Sequence, residues 1–219
     1  MLLAFDTASP SVTVALHDGT EVVAAATAEI GMRHGEQLAP LIEQVLASAG
    51  TTPDGVTGIA VGVGPGPFTG LRVGLVTART LAHVLDVPVH GVCSLDALAA
   101  EAVATGVVDG DFLVATDARR KEVYLASYDG NGRRQSAPVV ERPAVLASDL
   151  PVVGEGAALY PDAFPNARTP LRPDAAWLAR AVIAQQVEVL GPEPLYLRRP
   201  DAEIPRAAKA VLPDGAPAK

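Results

Sequence analysis

The run Gly58-Ile59-Ala60-Val61-Gly62-Val63-Gly64-Pro65-Gly66-Pro67-Phe68-Thr69-Gly70-Leu71-Arg72, continuing in apolar register to Leu85, decides the fold. Gly58 to Val63 is a short apolar stretch with β-branched residues, Gly64 to Pro67 can only be a loop, and Thr69 to Leu85 carries helical periodicity, so the order is strand, loop, helix. In that helix Leu71, Leu75, Val76, Ala78, Leu81, Ala82 and Leu85 cover most of the circumference, with Arg72, Arg79 and His83 as polar exceptions. A helix so patterned is expected to be covered on two sides. Val87 to Val92 follows as a second buried strand, and Ser94 is the expected N-cap of a helix over Leu95–Ala104. Strands alternating with helices place the chain in the α/β class.

Toward the N-terminus, Leu2–Asp6, Ser11–Leu16 and, after the Asp18-Gly19 turn, Glu21–Ala28 read as an antiparallel set of strands. From His34 to Ala49 the residues Leu38, Leu41, Ile42, Val45, Leu46 and Ala49 form one apolar stripe opposite Glu43 and Gln44, with Gly50 as the stop. Pro40 belongs near a first turn, so the regular helix is expected to begin close to Glu36. Toward the C-terminus, Gly106–Asp111 is the expected junction between lobes. Phe112–Thr116, Glu122–Tyr128, the turn Asp129-Gly130-Asn131-Gly132 and a strand near Val139 then repeat the opening of the chain. A helix over Asp174–Leu190, carrying Trp177, Leu178, Ala181, Val182 and Val189, and a final strand over Leu195–Leu197 complete a second lobe. The expected organisation is 1–106, 107–199 and a loosely held tail over 200–219 that contains four prolines.

With 219 residues, 49% hydrophobic and 19% charged, the chain has ample material for two small cores and is not a disordered protein. Its net charge of -8 is uneven: 3 basic against 9 acidic residues up to position 100, and 14 against 16 beyond it. Such acidity argues against non-specific adhesion to phosphate backbones, so a nucleic acid would need a basic patch or a basic partner. Cys93 is the sole cysteine and cannot form an internal disulfide. The N-terminus lacks a basic leader, and no apolar run reaches the ~18 residues of a membrane span, so a soluble cytoplasmic protein is expected.

The residues that could carry chemistry are few. The Gly64–Gly70 loop lies where a phosphate cradle would, but Leu71-Arg72 replaces the Lys-Ser/Thr of a P-loop, and Pro65 and Pro67 remove two N–H donors. Asp6, with Thr7 and Ser9 beside it, ends the first strand, and Asp117, followed by Arg119 and Arg120, ends its counterpart. Two such carboxylates can flank a metal-nucleotide between lobes, or simply satisfy turn backbones. His17, His34, His83 and His90 form no metal-ligand pair, no G-x-S-x-G elbow occurs, and Cys93 reads as a buried, inert thiol. The excess apolar surface of the first two helices marks either a partner or cover by the second lobe or the sheet.

Five stretches occur in order: Leu3-Ala4-Phe5-Asp6-Thr7-Ala8; His34-Gly35-Glu36-Gln37-Leu38 with Pro40; the loop Gly64 to Gly74; Asp117-Ala118-Arg119-Arg120-Lys121-Glu122-Val123-Tyr124; and Pro194-Leu195-Tyr196-Leu197-Arg198. Over about residues 1–199 the chain resembles the TsaB (YeaZ) family of bacterial tRNA threonylcarbamoyladenosine biosynthesis proteins. Pro67 departs from the pattern, where relatives usually carry Ser. The resemblance implies a two-lobed actin, sugar kinase and Hsp70-like fold. It also implies a non-catalytic dimerisation and scaffold subunit that supports a TsaD-type catalytic subunit, joined by a TsaE-type ATPase. The implied subunit is a homodimer when free and reaches tRNA only through the complex, while ATP is used by the partners and no cofactor is held by this chain. The implied partner contacts fall on Leu38, Leu41, Ile42, Val45, Leu46, Leu71, Arg72, Leu75 and Arg79 of the first two helices. Asp6, Thr7 and Asp117 mark a vestigial nucleotide cleft, and the alternative reading is an ATP-dependent phosphotransferase using Asp6 and Asp117.

Overall fold

Strand-forming residues on either side of the Asp18-Gly19 turn build an antiparallel ladder of β1 (Leu2–Asp6), β2 (Val12–His17) and β3 (Val22–Ala28), seen in a computed structural model that describes residues 1–28 and 34–198. The fully apolar β4 (Gly58–Gly64) and β5 (Val89–Cys93) add in parallel on the other side of β1, giving the order β3-β2-β1-β4-β5. Parallel strands covered on both faces read as continuous apolar runs, as β4 does. A second sheet repeats the plan: β6 (Phe112–Asp117), β7 (Val123–Tyr128) and β8 (Val139–Glu141) are antiparallel, and β9 (Val152–Val153) and β10 (Ala167–Arg168) extend it in parallel, in the order β10-β9-β6-β7-β8. The second sheet thus duplicates the plan of the first, giving the two lobes expected from the sequence.

One face of the first sheet is covered by α1 (His34–Ser48) and α2 (Phe68–Leu85), whose Leu38, Leu41, Ile42, Val45, Leu46 and Leu75 pack on Leu3, Phe5, Val14 and Val61. Pro40 sits inside α1 rather than in its first turn. Pro40 has no N–H to offer the Glu36 carbonyl one turn back, and both residues lie on an exposed stretch of the helix.

The other face is covered by exchange. Helix α3 (Ser94–Ala104) follows the first sheet, but Leu95, Leu98 and Ala102 pack on Phe112, Val114, Ala126 and Val153 of the second. Helix α5 (Ala175–Ile183) follows the second sheet, yet Ala175, Leu178 and Ala179 pack on Leu2, Ala4, Ala15 and Ala60 of the first, with Ala97 of α3 beside them. The division at residue 106 is therefore not respected by the cores, because residues 175–198 return to the first lobe.

The C-terminal part departs from its periodicity in a second way. Asp174 caps α5 by accepting the Ala176 N–H at 2.7 Å, but the helix ends at Ile183, with Gln185 at φ 54°, instead of running to Leu190. Leu190 exchanges two backbone hydrogen bonds with Gly91, and Leu195 donates to the Val63 carbonyl, so 190–198 forms a strap along the edge of the first sheet and not a final strand. The tail over 200–219 lies outside the described residues.

Between the lobes, Asp96 of α3 accepts hydrogen bonds from Tyr128 Oη at 2.7 Å and Arg134 Nε at 3.0 Å, and Arg134 also pairs with Glu188 at 2.8 Å. Burial raises the Asp96 carboxyl above the usual range, opposed by those two donors.

The interface of α3 with α5 holds a second perturbed carboxyl. Burial, and then the Asp174 carboxylate, push Glu101 up to about 7, against the pull of its hydrogen bond to Trp177. A carboxyl whose pKa is raised on folding binds its proton more tightly in the native state, so its contribution to stability is present below pH 4.5 and lost as pH rises toward 7. Glu101→Gln stays neutral throughout, and with water screening the exposed half of the site it is expected to gain about 1 kcal/mol over the parent at pH 8 but not at pH 4.5. Urea unfolding at the two pH values measures the difference.

Candidate functional site

The ends of β1 and β6, the Gly-Pro loop and the N-terminus of α3 converge on the cleft between the lobes. It is lined by Ser9, Pro65, Pro67, Ser94, Asp117, Arg119, Glu155 and Arg172 among others, and encloses a cavity of only about 20 Å³. That is room for about one water molecule, not for a nucleotide. Glu155, at the start of α4 (Glu155–Leu159), and Arg172 close one side with a two-pronged ion pair at 2.6 and 3.1 Å.

The expected trio Asp6, Thr7 and Asp117 is not brought together in this cleft. Asp6 is buried: one carboxylate oxygen accepts the Ala8 N–H at 2.8 Å and the other accepts the Ser94 hydroxyl at 2.5 Å. Ser94 is therefore not the cap of α3; its hydroxyl is spent on Asp6. Thr7 donates to the Gly70 carbonyl at 2.9 Å, tying β1 to the first turn of α2. Both residues thus clamp helix starts onto the sheet. Asp117 alone lines the cleft, and it accepts the Arg119 N–H at 2.8 Å and pairs with the Arg119 guanidinium at 3.2 Å. The glycine loop is packed down as well: a Cβ on Gly66 would lie 2.4 Å from the Ala8 carbonyl oxygen, so only glycine permits the approach. Cys93 is fully buried, and burial pushes its thiol up to about 12.

Beyond Asp117 the chain turns through Arg119, Arg120 and Lys121 at φ 61°, 55° and 62°. Three consecutive left-handed residues with side chains cost roughly 1 kcal/mol each. The turn is held by the Asp117 bonds and by Arg198, which donates to the Ala118 carbonyl at 2.9 Å and pairs with Glu122.

The helix residues expected to meet a partner divide sharply. Leu38, Leu41, Ile42, Val45, Leu46, Leu71 and Leu75 are all buried within the chain itself, so they are core and not contact surface. The apolar stripe of α1 is consumed by β2 and β3, and a charge placed there would strike the fold. What remains outside is one ridge of α2: Arg72, Val76, Arg79, His83 and Val84, with Val76 62% and Val84 72% exposed. Arg72 lies 3.8 Å over the Phe68 ring and donates to Tyr196 Oη, while Tyr196 stacks on Phe68 at 5.2 Å. Arg79 donates to the Pro192 carbonyl and pairs with Glu193. The strap therefore covers one flank of α2 and leaves the Val76 and Val84 ridge open. The sheet and the strap are the two covered sides that the all-round apolarity suggested, but the pattern carried no sign that Val76 and Val84 lie outside both.

Comparison with known proteins gives a consistent picture. The TsaD family, tRNA N6-adenosine threonylcarbamoyltransferase, matches residues 27–155. The tRNA threonylcarbamoyladenosine biosynthesis protein TsaB of Escherichia coli is 34% identical, with 90% of this chain and 94% of the relative covered. TsaB of Bacillus subtilis is 31% identical over 70% of this chain and 66% of the relative. YeaZ from Pseudomonas aeruginosa superimposes with a TM-score of 0.74 at 31% identity, covering 90% of this chain and 99% of that structure.

Gly62, between two β-branched residues of β4, is the position on which the Asp6 clamp depends. A Cβ there would sit 1.8 Å from Asp6 Oδ2 and 2.7 Å from Ser94 Oγ. Gly62→Ala is expected to break the buried hydrogen bond and destabilise the chain by roughly 3 kcal/mol, read as a lowered denaturant midpoint.

Proposed function

Because the chain belongs to the TsaB (YeaZ) family, and so to tRNA threonylcarbamoyladenosine biosynthesis, we propose that it serves there as a non-catalytic scaffold for a TsaD-type catalytic subunit. The catalytic subunit docks on the outer ridge of α2, and the same ridge pairs two copies of the chain when that subunit is absent. A TsaE-type ATPase completes the assembly, nucleotide is consumed by the partners, and the assembly works on tRNA in the cytoplasm.

The observation that carries the reading is the ridge itself: Val76 and Val84 are more than half exposed on a helix whose other apolar residues, apart from Phe68 stacked on Tyr196, are buried or half-buried. Aliphatic side chains rimmed by Arg72, Arg79 and His83 fit the anatomy of a protein interface, apolar at its centre and polar at its edge. The cleft supports the non-catalytic part of the reading, since its carboxylates Asp117 and Glu155 are paired with Arg119 and Arg172 and its cavity of about 20 Å³ has room for about one water molecule.

The test is reconstitution of tRNA threonylcarbamoylation from TsaD-type and TsaE-type subunits, threonylcarbamoyl-adenylate and tRNA, with and without this chain. Product is expected to depend on it. Val76→Glu and Val84→Glu alter exposed positions, so the fold is expected to persist while affinity for the catalytic subunit drops tenfold or more. A folded variant with full affinity would move the interface elsewhere. Calorimetry with ATP on the isolated chain is expected to show no binding; heat weakened by Asp117→Ala would favour the phosphotransferase instead.

A further inference from the structure

The turn between β6 and β7 carries the only run of three basic residues in this acidic sequence, Arg119-Arg120-Lys121, and all three are exposed. We propose that this turn binds the phosphodiester backbone of the RNA on which the complex acts, an inference that rests on the scaffold reading and gives this chain an RNA contact of its own.

The backbone shows that the cations are placed there against local preference. Most other positive-φ positions are glycines, at Gly19, Gly50, Gly64, Gly106, Gly132 and Gly154, and the two with side chains, Asp86 and Gln185, each stand alone just past a helix end. A turn that only reversed the chain would do the same. Here three long cationic side chains occupy such positions in succession and are braced from below by Asp117 and by Arg198. Strained backbone held by a dedicated brace belongs to sites where the side chains have work to do.

Position and charge indicate what the work is. Tyr196 lies against Phe68 at the start of α2, and Arg198, two residues further on, reaches the turn, so the strap links the basic run to the N-terminal end of the helix that carries the proposed partner face. An RNA held by a subunit on that face would pass close to the turn. The first hundred residues carry 3 basic against 9 acidic side chains, so a polyanion is repelled from the first lobe and directed toward this corner of the second. Arginine and lysine side chains on an exposed turn suit phosphate oxygens, which need charge and donors but no base-specific geometry.

The experiment measures binding of a tRNA transcript to the complex of this chain with its TsaD-type subunit, between 50 and 200 mM salt. Two variants are compared with the parent: Arg120→Glu with Lys121→Glu, and Arg120→Gly with Lys121→Gly. Both are expected to lose roughly tenfold in affinity at low salt and to lower the slope of log affinity against log salt by one to two, as for one or two lost phosphate contacts. The glycine variant is expected to melt at a higher temperature than the parent, which separates loss of charge from loss of fold. Unchanged affinity and slope in both variants, with the complex intact, would overturn the inference and leave the scaffold reading standing. A parent chain that adds nothing to tRNA binding or product would overturn both. Competition by polyglutamate but not by a homopolymeric RNA would assign the turn to an acidic protein and overturn the RNA assignment.

Discussion

The burial of α3 between two sheets is the constraint from which the rest of the molecule follows. Its Leu95, Leu98 and Ala102 fill the second core while Ala97 faces the first, so the helix must be apolar nearly all round and can tolerate polar groups only where they are satisfied. That condition explains its two buried polar residues. Ser94 donates to Asp6 and Asp96 accepts from Tyr128 and Arg134, which fixes the start of the helix against both lobes at once. The return of α5 to the first sheet then closes the face that α3 leaves open.

The same arrangement accounts for what the cleft has become. In a two-lobed fold the strand ends that meet between lobes are free to hold a ligand, but here they are drawn into the packing. Asp6 and Thr7 secure helix starts, Pro65 and Pro67 line the cavity wall, and the Glu155–Arg172 pair closes the side. Polar groups at the strand ends are answered internally, and the surfaces proposed above for recognition lie outside, on the ridge of α2 and on the exposed basic turn. The proposed scaffold role places recognition on the exterior, which a well-packed interior helps to hold in shape.

Much of this could be read from the residues. Alternation and turn chemistry located the strands around Asp18-Gly19 and Asp129-Gly130, and the Gly58–Leu85 stretch gave strand, loop and helix within a residue or two. The repeat of the opening pattern revealed two lobes. What could not be read were features set by partners distant in sequence. Periodicity shows that a helix has an apolar face but not which sheet will cover it, so α5 was assigned to the wrong lobe. The apolar stripe of α1 carried no mark distinguishing core from contact, and burial resolved it as core. Ser94 looks like a helix cap, and only the approach of β1 makes it the partner of Asp6. Gly62 did carry a signal, since glycine between β-branched strand residues implies close approach of another group.

The exchange of α3 and α5 also bears on how the chain comes into existence on the ribosome. The first sheet is complete once Cys93 is made, but the helix that seals its inner face lies about 80 residues further on, at Ala175–Ile183. Until that helix emerges, Leu2, Ala4, Ala15 and Ala60 lack most of their cover, with only Ala97 of α3 beside them, and the nascent first lobe presents an apolar wall to its surroundings. At roughly 5–20 residues per second that exposure lasts several seconds, long compared with the closing of a local helix. The core of the first lobe is therefore completed only when α5 returns to it, so the two halves share one folding endpoint.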